Sequence, residues 1–242
     1  MTSKQHGFTL VELLTTITIV AILIALASFS AKKAIASVNN SKCSNQLRQI
    51  GVAINLYTGE MGHYPPATIV WNSPGYISGS HVQGSWWDQI SEHLGTKTTF
   101  QRKVGSLDMY YNPVLHCPSS TISTETPYAS YGCNTQVMQD VAYGNGQLVS
   151  AMRVNRPSEI VLVTDTNQNS GGSSSPHLWR VNPSTSEGSS EDPLPICIDS
   201  DGGATNYIRY RHNGATNCLF ADGHVESKKK GTLKNRNWVI NY

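Results

Sequence analysis

Glu12 is the only charged residue between positions 8 and 31, and it stands near the start of a long apolar segment. An ionised carboxylate inside hydrocarbon costs about 2.5 kcal/mol or more on insertion scales, so membrane helices that retain one usually supply a partner for it. The chemistry that this placement favours is charge pairing within a membrane. We therefore predict a specific partner for the Glu12 carboxylate.

A second group of residues could bind a divalent metal: Asp165, His212, Asp222 and His224. Imidazole nitrogens favour zinc and its neighbours, whereas carboxylates alone favour calcium. The alternative is a hairpin in which Asp222-Gly223 takes the positive φ angles of a two-residue turn and His212 hydrogen-bonds locally at a strand end. We adopt the hairpin interpretation and expect neither a metal nor a cofactor. Residues 199–203 resemble a calcium loop only in part and are more typical of a turn.

Catalytic constellations are not evident. Gly79-Ser80 and Cys133 lack the G-x-S-x-G context or a paired base, and no glycine-rich phosphate loop occurs. We therefore expect no enzymatic activity. Aromatic residues in turn-rich sequence offer a different alternative, a surface for glycans or a protein partner; they are Trp71, Tyr76, Trp86, Trp87, Tyr110, Tyr111 and Trp179.

The element that must position Glu12 is a helix. Residues 8–29 would span about 33 Å as a helix, enough to cross a bilayer core of roughly 30 Å. Beyond them, apolar residues recur every three or four positions to about Thr58, which predicts an amphipathic continuation over residues 30–60. Its stripe consists of Ala31, Ile35, Val38, Leu47, Ile50, Ile54 and Tyr57.

Residues 61–242 are long enough for a globular domain with its own core. Strands are predicted at residues 159–164, 206–211 and 216–221, with a return strand after Asp222-Gly223 and a closing edge strand at 238–240. A short helix is predicted near residues 85–94. With 14% charged residues and a formal net charge of +2, the chain shows no nucleic-acid-binding surface.

The N-terminal residues Lys4-Gln5-His6-Gly7-Phe8-Thr9-Leu10-Val11-Glu12 resemble the class III signal of type IV pilins and type II secretion pseudopilins. This resemblance implies that a prepilin peptidase cuts after Gly7 and that Phe8 is N-methylated. It also implies that Glu12, the fifth mature residue, pairs with the terminal amine of a neighbouring subunit. An ordinary signal peptide cut near Ala25 to Ser28 and a plain N-terminal anchor are alternatives that explain the motif less well.

A second resemblance lies near the C-terminus, where His212 and Asp222-Gly223 are separated by nine residues. This H-x9-DG spacing is similar to that of a family of prepilin-like exported proteins. Other stretches resemble the same family; they are residues 43–49, 64–66, 117–119 and 163–165.

Exported proteins meet an oxidising compartment, so disulfides are expected among Cys43, Cys117, Cys133, Cys197 and Cys218. The odd count leaves at least one thiol unpaired, and the absence of CxxC pairs argues against a structural zinc site. Cys117 with Cys133 is our preferred pair, and Cys43 is the rival partner for Cys117. We expect Cys218 to be a buried free thiol.

Together these features predict an α+β pilin-like fold, a long N-terminal membrane-spanning helix packed on a small antiparallel sheet. The expected divisions are a leader (1–7), a transmembrane half-helix (8–29), an amphipathic half-helix (30–60) and an exported globular domain (61–242). The expected function is a structural subunit of a type II secretion or type IV pilus-like assembly. Its expected partners are prepilin peptidase, other pilin-like subunits and inner-membrane lipid. The alternative is a membrane-tethered binding domain that uses the prepilin pathway without forming a filament.

Overall fold

The computed structural model describes residues 9–69, 84–95, 100–104, 107–120, 130–141, 146–166, 180–181, 190–194, 197–198 and 208–240. Helix α1, Leu10–Met61, runs through two compact units, Met1–Asn39 and Asn40–Tyr242. Within the first unit, every large apolar side chain from Leu10 to Leu26 is more than half exposed. Over its most apolar 18 residues α1 has a mean hydropathy of 2.5, so its length and composition suffice to cross a membrane.

In the second unit, α1 presents one apolar stripe to the core. The stripe residues are spaced by three or four positions and are fully buried; they are Cys43, Leu47, Ile50, Ile54 and Tyr57. The predicted stripe is thus confirmed from Leu47 onward, whereas Ile35 and Val38 are exposed.

A glycine ends the helix. Gly62 has a φ of +77°, and its N–H donates to the Thr58 carbonyl at 2.9 Å. A residue without a Cβ takes this left-handed conformation at little cost, which is why glycine so often follows a helix. Helix α1 therefore ends one residue beyond the predicted amphipathic segment, 30–60.

The other elements are short. Helix α2 is Trp86–Gln89, and 3₁₀ turns occur at Glu92–Leu94, Pro113–Leu115, Ala151–Arg153 and Asn235–Asn237. The strands are β1 (Thr68–Ile69), β2 (Gly84–Ser85), β3 (Phe100–Val104), β4 (Leu107–Tyr111), β5 (Tyr131–Asn134), β6 (Val161–Asp165), β7 (Arg180–Val181), β8 (Cys197–Ile198), β9 (Ile208–Arg209), β10 (Ala215–Phe220) and β11 (Val225–Lys229).

The main sheet has the order β11-β10-β6-β5-β7. Its first four strands are antiparallel, and β7 adds in parallel at the edge. One face of this sheet packs on α1 with particularly close approach at Gly51, where a Cβ would lie 2.7 Å from Leu219 Cδ1. The architecture is the predicted α+β arrangement of a long helix and a small antiparallel sheet.

The opposite face of the sheet carries a second apolar cluster. Side chains alternate along a strand, so Leu219 faces the first core while Cys218 and Phe220 face the second. Trp238 fills this second cluster, and its backbone carbonyl accepts a hydrogen bond from Asn134 Nδ2 at 2.9 Å. The predicted edge strand at 238–240 is wrong, because the chain there follows the Asn235–Asn237 turn into the core instead of along the sheet.

Candidate functional site

Strand β10 begins with a tight turn at Asn213-Gly214. The φ angles of these two residues are +53° and +76°, and His212 and Ala215 exchange two backbone hydrogen bonds of 3.0 Å. This is a two-residue hairpin turn, for which Asn-Gly is the strongest sequence signal. We did not predict this turn from the sequence, although the Asn-Gly dipeptide was a sufficient signal for it. The turn fixes His212 beside Ala215, at the start of the hairpin that β10 and β11 form.

Strand β10 ends in a wider turn than the one we predicted at Asp222-Gly223. Only Gly223 has a positive φ, of +91°. Phe220 pairs with His224 across a three-residue loop, since the Phe220 N–H donates to the His224 carbonyl and the Gly223 N–H donates to the Phe220 carbonyl, each at 2.9 Å. A hairpin is present, but the two-residue turn geometry was wrong.

The two turns separate the four predicted metal candidates. Strand β10 holds six residues, which span roughly 17 Å, with His212 before it and Asp222 after it. Asp222 Oδ1 lies 2.6 Å from His224 Nδ1 on an exposed turn. Asp165 and His212 form a separate, buried pair. A single site made of all four residues is therefore excluded.

His212 and Asp165 lie at the centre of a buried polar cluster. His212 Nε2 is 3.3 Å from Asp165 Oδ2 and 3.5 Å from Cys117 Sγ. The side chains of His212 and Asp165 are 2% and 0% exposed, respectively. Cys117 is joined to Cys43 of α1 by a disulfide with a Cα–Cα distance of 5.3 Å. We call the set Cys43, Cys117, Asp165 and His212 the buried cluster; its donor atoms all lie within 4.8 Å of one another.

Asp165 is positioned by the way β6 meets β10. Its Oδ2 accepts the Asn217 backbone N–H at 3.1 Å, and the neighbouring Thr164 hydroxyl donates to the Asn217 carbonyl at 3.0 Å. Side chains thus replace the backbone ladder at this point and turn the Asp165 carboxylate into the protein. From the sequence alone, only the position of Val163-Thr164-Asp165 at the end of a buried strand can be recognised.

Arg211 brings the opposite charge to the buried cluster. Its Nε lies 3.7 Å from Asp165 Oδ1, and the two side chains are 3% and 0% exposed. Asp165 Oδ1 has no hydrogen-bond partner among the residues that the structure describes. Burying a lone carboxylate is costly, and Arg211 places a positive charge beside it.

The disulfide corrects our preferred pairing. Cys117 is bonded to Cys43, and Cys133 is a buried cysteine on β5 that forms no disulfide. Cys133 is held in the sheet opposite Val163, whereas the Cys117 segment packs against the helix stripe that contains Cys43. The expectation for Cys218 is confirmed, since it is buried, unbridged and located on β10.

The geometry does not form a nucleophilic relay. Such a relay requires one imidazole nitrogen to face the nucleophile and the other to face the carboxylate. Here the same Nε2 atom of His212 faces both Cys117 and Asp165. Cys117 is also oxidised and buried, so it is not available as a nucleophile.

Titration of nearby groups follows burial. Desolvation lowers the pKa of His116, next to Cys117, to about 4. Desolvation, assisted by Asp165, raises the pKa of Tyr131 well above its ordinary value, while its hydroxyl donates to Gln46 Oε1 at 2.8 Å. Desolvation also raises the pKa of the Cys218 thiol to about 12. These three groups are therefore uncharged near neutral pH.

The predicted N-terminal site is described from Thr9 onward; Gly7 and Phe8 lie outside the described residues. Glu12 Oε2 accepts hydrogen bonds from the Thr9 N–H at 2.9 Å and the Thr9 hydroxyl at 2.8 Å. The Glu12 N–H donates back to Thr9 Oγ1 at 3.3 Å. This reciprocal arrangement is a capping box, and the T-x-x-E spacing that signals it was missed in the sequence. Glu12 therefore has a local role in starting α1.

The aromatic residues considered as a binding platform fall into two groups. Trp86 is buried in the core and meets the partly buried Trp87 edge-on, with ring centroids 5.6 Å apart. This described pair is not an exposed, coplanar platform. Trp71, Tyr76 and Trp179 lie outside the described residues, as do the side chains of Tyr110 and Tyr111.

Two family models match the chain. Residues 2–28 match the prokaryotic N-terminal methylation motif. Residues 40–178, more than half of the chain, match a family described as protein of unknown function (DUF1559). Cys43, Cys117 and Asp165 lie inside this second match and His212 lies beyond it. No curated protein and no solved structure matches the chain.

Proposed function

Since the chain belongs to the family described as protein of unknown function (DUF1559) and carries the prokaryotic N-terminal methylation motif, we propose that it is a structural subunit of a pilus-like or type II secretion-like assembly. The motif makes it a pilin-like substrate of prepilin peptidase with one N-terminal membrane anchor. The step that we propose beyond this is its role as a pseudopilin or minor pilin-like subunit.

The observation that carries the proposal is the exposure of the first half of α1. Its large apolar side chains from Leu10 to Leu26 lie on all sides of the helix and are uncovered by the chain itself. A helix that is apolar all round must be buried in lipid or against other helices. Its hydroxyl groups need no outside partner, because Thr15, Thr16, Thr18 and Ser28 donate to carbonyls of the preceding turn. Glu12 is the one ionisable residue in this segment, and its hydrogen bonds from Thr9 do not neutralise its charge. We propose that this charge is paired in the assembly.

A structural role also agrees with the character of the buried cluster. Its cysteines are oxidised, and His212 and Asp165 have almost no exposed surface. Substrates cannot reach groups placed in this way, so we propose no enzymatic activity. A disulfide between Cys43 and Cys117 forms in oxidising compartments, which supports export of the second unit from an inner-membrane anchor.

The test separates the charge of Glu12 from its capping role. Glu12→Gln keeps a side chain that can complete a capping box but removes the charge, whereas Glu12→Ala removes both. We expect both variants to insert and to be processed to a mature N-terminus at Phe8, as read by mass spectrometry. We expect both to lose cosedimentation with filaments sheared from cells, or crosslinking to pilin-like subunits, by at least tenfold.

Glu60→Gln is the matched control, because Glu60 lies on the same helix in the second unit and is exposed there. We expect it to assemble normally. Assembly of Glu12→Gln at the wild-type level would remove charge pairing from the proposal. A processed wild-type chain found only as a monomer would favour a tethered binding domain that forms no filament.

A further inference from the structure

We propose that the buried cluster is a zinc site when its disulfide is reduced, with Cys43, Cys117, Asp165 and His212 as the four ligands. Two sulfurs, one imidazole nitrogen and one carboxylate oxygen form a donor set that favours tetrahedral zinc. The four ligands come from α1, from the segment after the Pro113–Leu115 turn, from β6 and from the hairpin. The inference concerns binding and goes beyond the assembly role.

The positions of His212 and Asp165 fit this geometry, whereas the two sulfurs, which are bonded to each other in the disulfide, would have to separate to about 3.8 Å. Zinc bonds of about 2.3 Å to sulfur and 2.0 Å to nitrogen or oxygen, at a tetrahedral angle, place sulfur and nitrogen about 3.5 Å apart and nitrogen and oxygen about 3.3 Å apart. The observed Cys117 Sγ to His212 Nε2 distance is 3.5 Å, and the His212 Nε2 to Asp165 Oδ2 distance is 3.3 Å. One atom, His212 Nε2, faces both Cys117 and Asp165. This arrangement excludes a catalytic relay, but it is the arrangement that a metal shared by the three residues requires.

The surrounding charges balance in both states. With the disulfide formed, Arg211 offsets the one negative charge of Asp165. With zinc bound, two thiolates and one carboxylate carry three negative charges, and zinc together with Arg211 carries three positive charges. Neither state leaves a net charge in the interior, which would be costly. The Asn217 N–H that donates to Asp165 Oδ2 at 3.1 Å would orient this ligand from the second coordination shell.

The conversion is a thiol–disulfide exchange followed by metal binding. While the chain is unfolded, a dithiol reductant can reach these sulfurs; it transfers two electrons and two protons to the Cys43–Cys117 bond, and its own sulfurs form a disulfide. Zinc then binds both sulfurs and displaces the two thiol protons to solvent. In the zinc form, the metal would tie α1 to the hairpin in place of the disulfide.

The experiment uses the full chain in detergent, unfolded in urea, reduced without oxygen by a phosphine and refolded by removal of the urea. A phosphine does not compete for zinc as a dithiol does. After incubation with zinc chloride and gel filtration, we expect about one zinc per reduced chain and none per oxidised chain, measured by atomic absorption. Cobalt(II) should give the intense visible bands of a tetrahedral complex together with thiolate charge-transfer bands.

Variants identify the ligands. His212→Ala and Asp165→Asn should each weaken zinc binding by at least tenfold, whereas His224→Ala and Cys133→Ser should not. His224 is the matched control, since it lies at the exposed end of the same hairpin. Circular dichroism of each oxidised variant checks that it folds. A reduced wild-type chain that binds no zinc, or an octahedral cobalt spectrum, overturns the site whatever the variants do. Undiminished binding by folded His212→Ala overturns it as well.

Discussion

The disulfide between Cys43 and Cys117 should supply a large part of the stability of the second unit. The bond closes a loop with a sequence separation of 74 residues. In the chain-entropy model, a loop of that length restricts the unfolded chain by about 4 kcal/mol at 25 °C, against about 3 kcal/mol for a loop of 16 residues. Cys43→Ala should therefore lower the free energy of unfolding by about 4 kcal/mol, plus about 1 kcal/mol for the loss of a buried sulfur.

Cys133→Ala is the control that isolates the covalent bond. Cys133 is as deeply buried as Cys43 and also belongs to the first hydrophobic cluster, but it has no bridge. Alanine favours the helix at position 43, so helix propensity adds no cost there. The difference between the two variants should then be close to the loop term of about 4 kcal/mol.

The assay is urea unfolding of the full chain in detergent, with a chelator present and no reductant. Fluorescence of the buried Trp86 and Trp238 should report loss of the second unit. Peptide mapping without reduction should recover Cys43 joined to Cys117 in the wild type. Equal destabilisation by the two variants would show that the cross-link does not contribute to the free energy of unfolding. A larger decrease of that free energy in Cys133→Ala would indicate that the disulfide joins Cys117 to Cys133.

Two further predictions concern the hairpin and pH. Gly223→Ala and Gly231→Ala should each cost about 1 kcal/mol, because their φ angles are +91° and +82°. Gly223→Ala should cost more, since its Cβ would lie 3.2 Å from Asn55 Nδ2 whereas position 231 is open; equal costs in urea unfolding would contradict this. His116 is neutral when folded, so the unfolded chain binds more protons between pH 6.5 and about 4, and stability should fall as pH falls through that window. His116→Gln should remove this loss, at most about 3 kcal/mol, and unchanged pH dependence of its unfolding midpoint would refute the assignment.

The long helix and the hairpin could be predicted because their signals are local. The stripe from Leu47 to Tyr57, the stop at Gly62 and the buried strand β6 each follow from spacing and residue type within a few positions. The missed turn at Asn213-Gly214 also had a local signal. The turn that we did predict failed in detail, because Phe220 pairs with His224 and so widens the loop to three residues.

The buried cluster could not be predicted in the same way. Its residues are separated by up to 169 positions, from Cys43 to His212, and no local pattern says which cysteine meets which helix face. Cys117 and Cys133 looked closer because they are closer in sequence. The sheet prevents this pairing, since it holds Cys133 opposite Val163 and leaves Cys117 facing α1.

The nine-residue spacing between His212 and Asp222 matches a length on the helix. At its start, His212 lies in the buried cluster with Cys43 of α1. At its end, Gly223 approaches Asn55 of the same helix. Cys43 and Asn55 are twelve positions apart, about 18 Å along a helix, and β10 spans roughly 17 Å. Adding or removing a residue within β10 would shift one end of the hairpin off the helix and turn every following side chain to the other face of the sheet. The spacing thus places His212 and Gly223 at two levels of α1, and Leu219 packs against Gly51 of the helix between them.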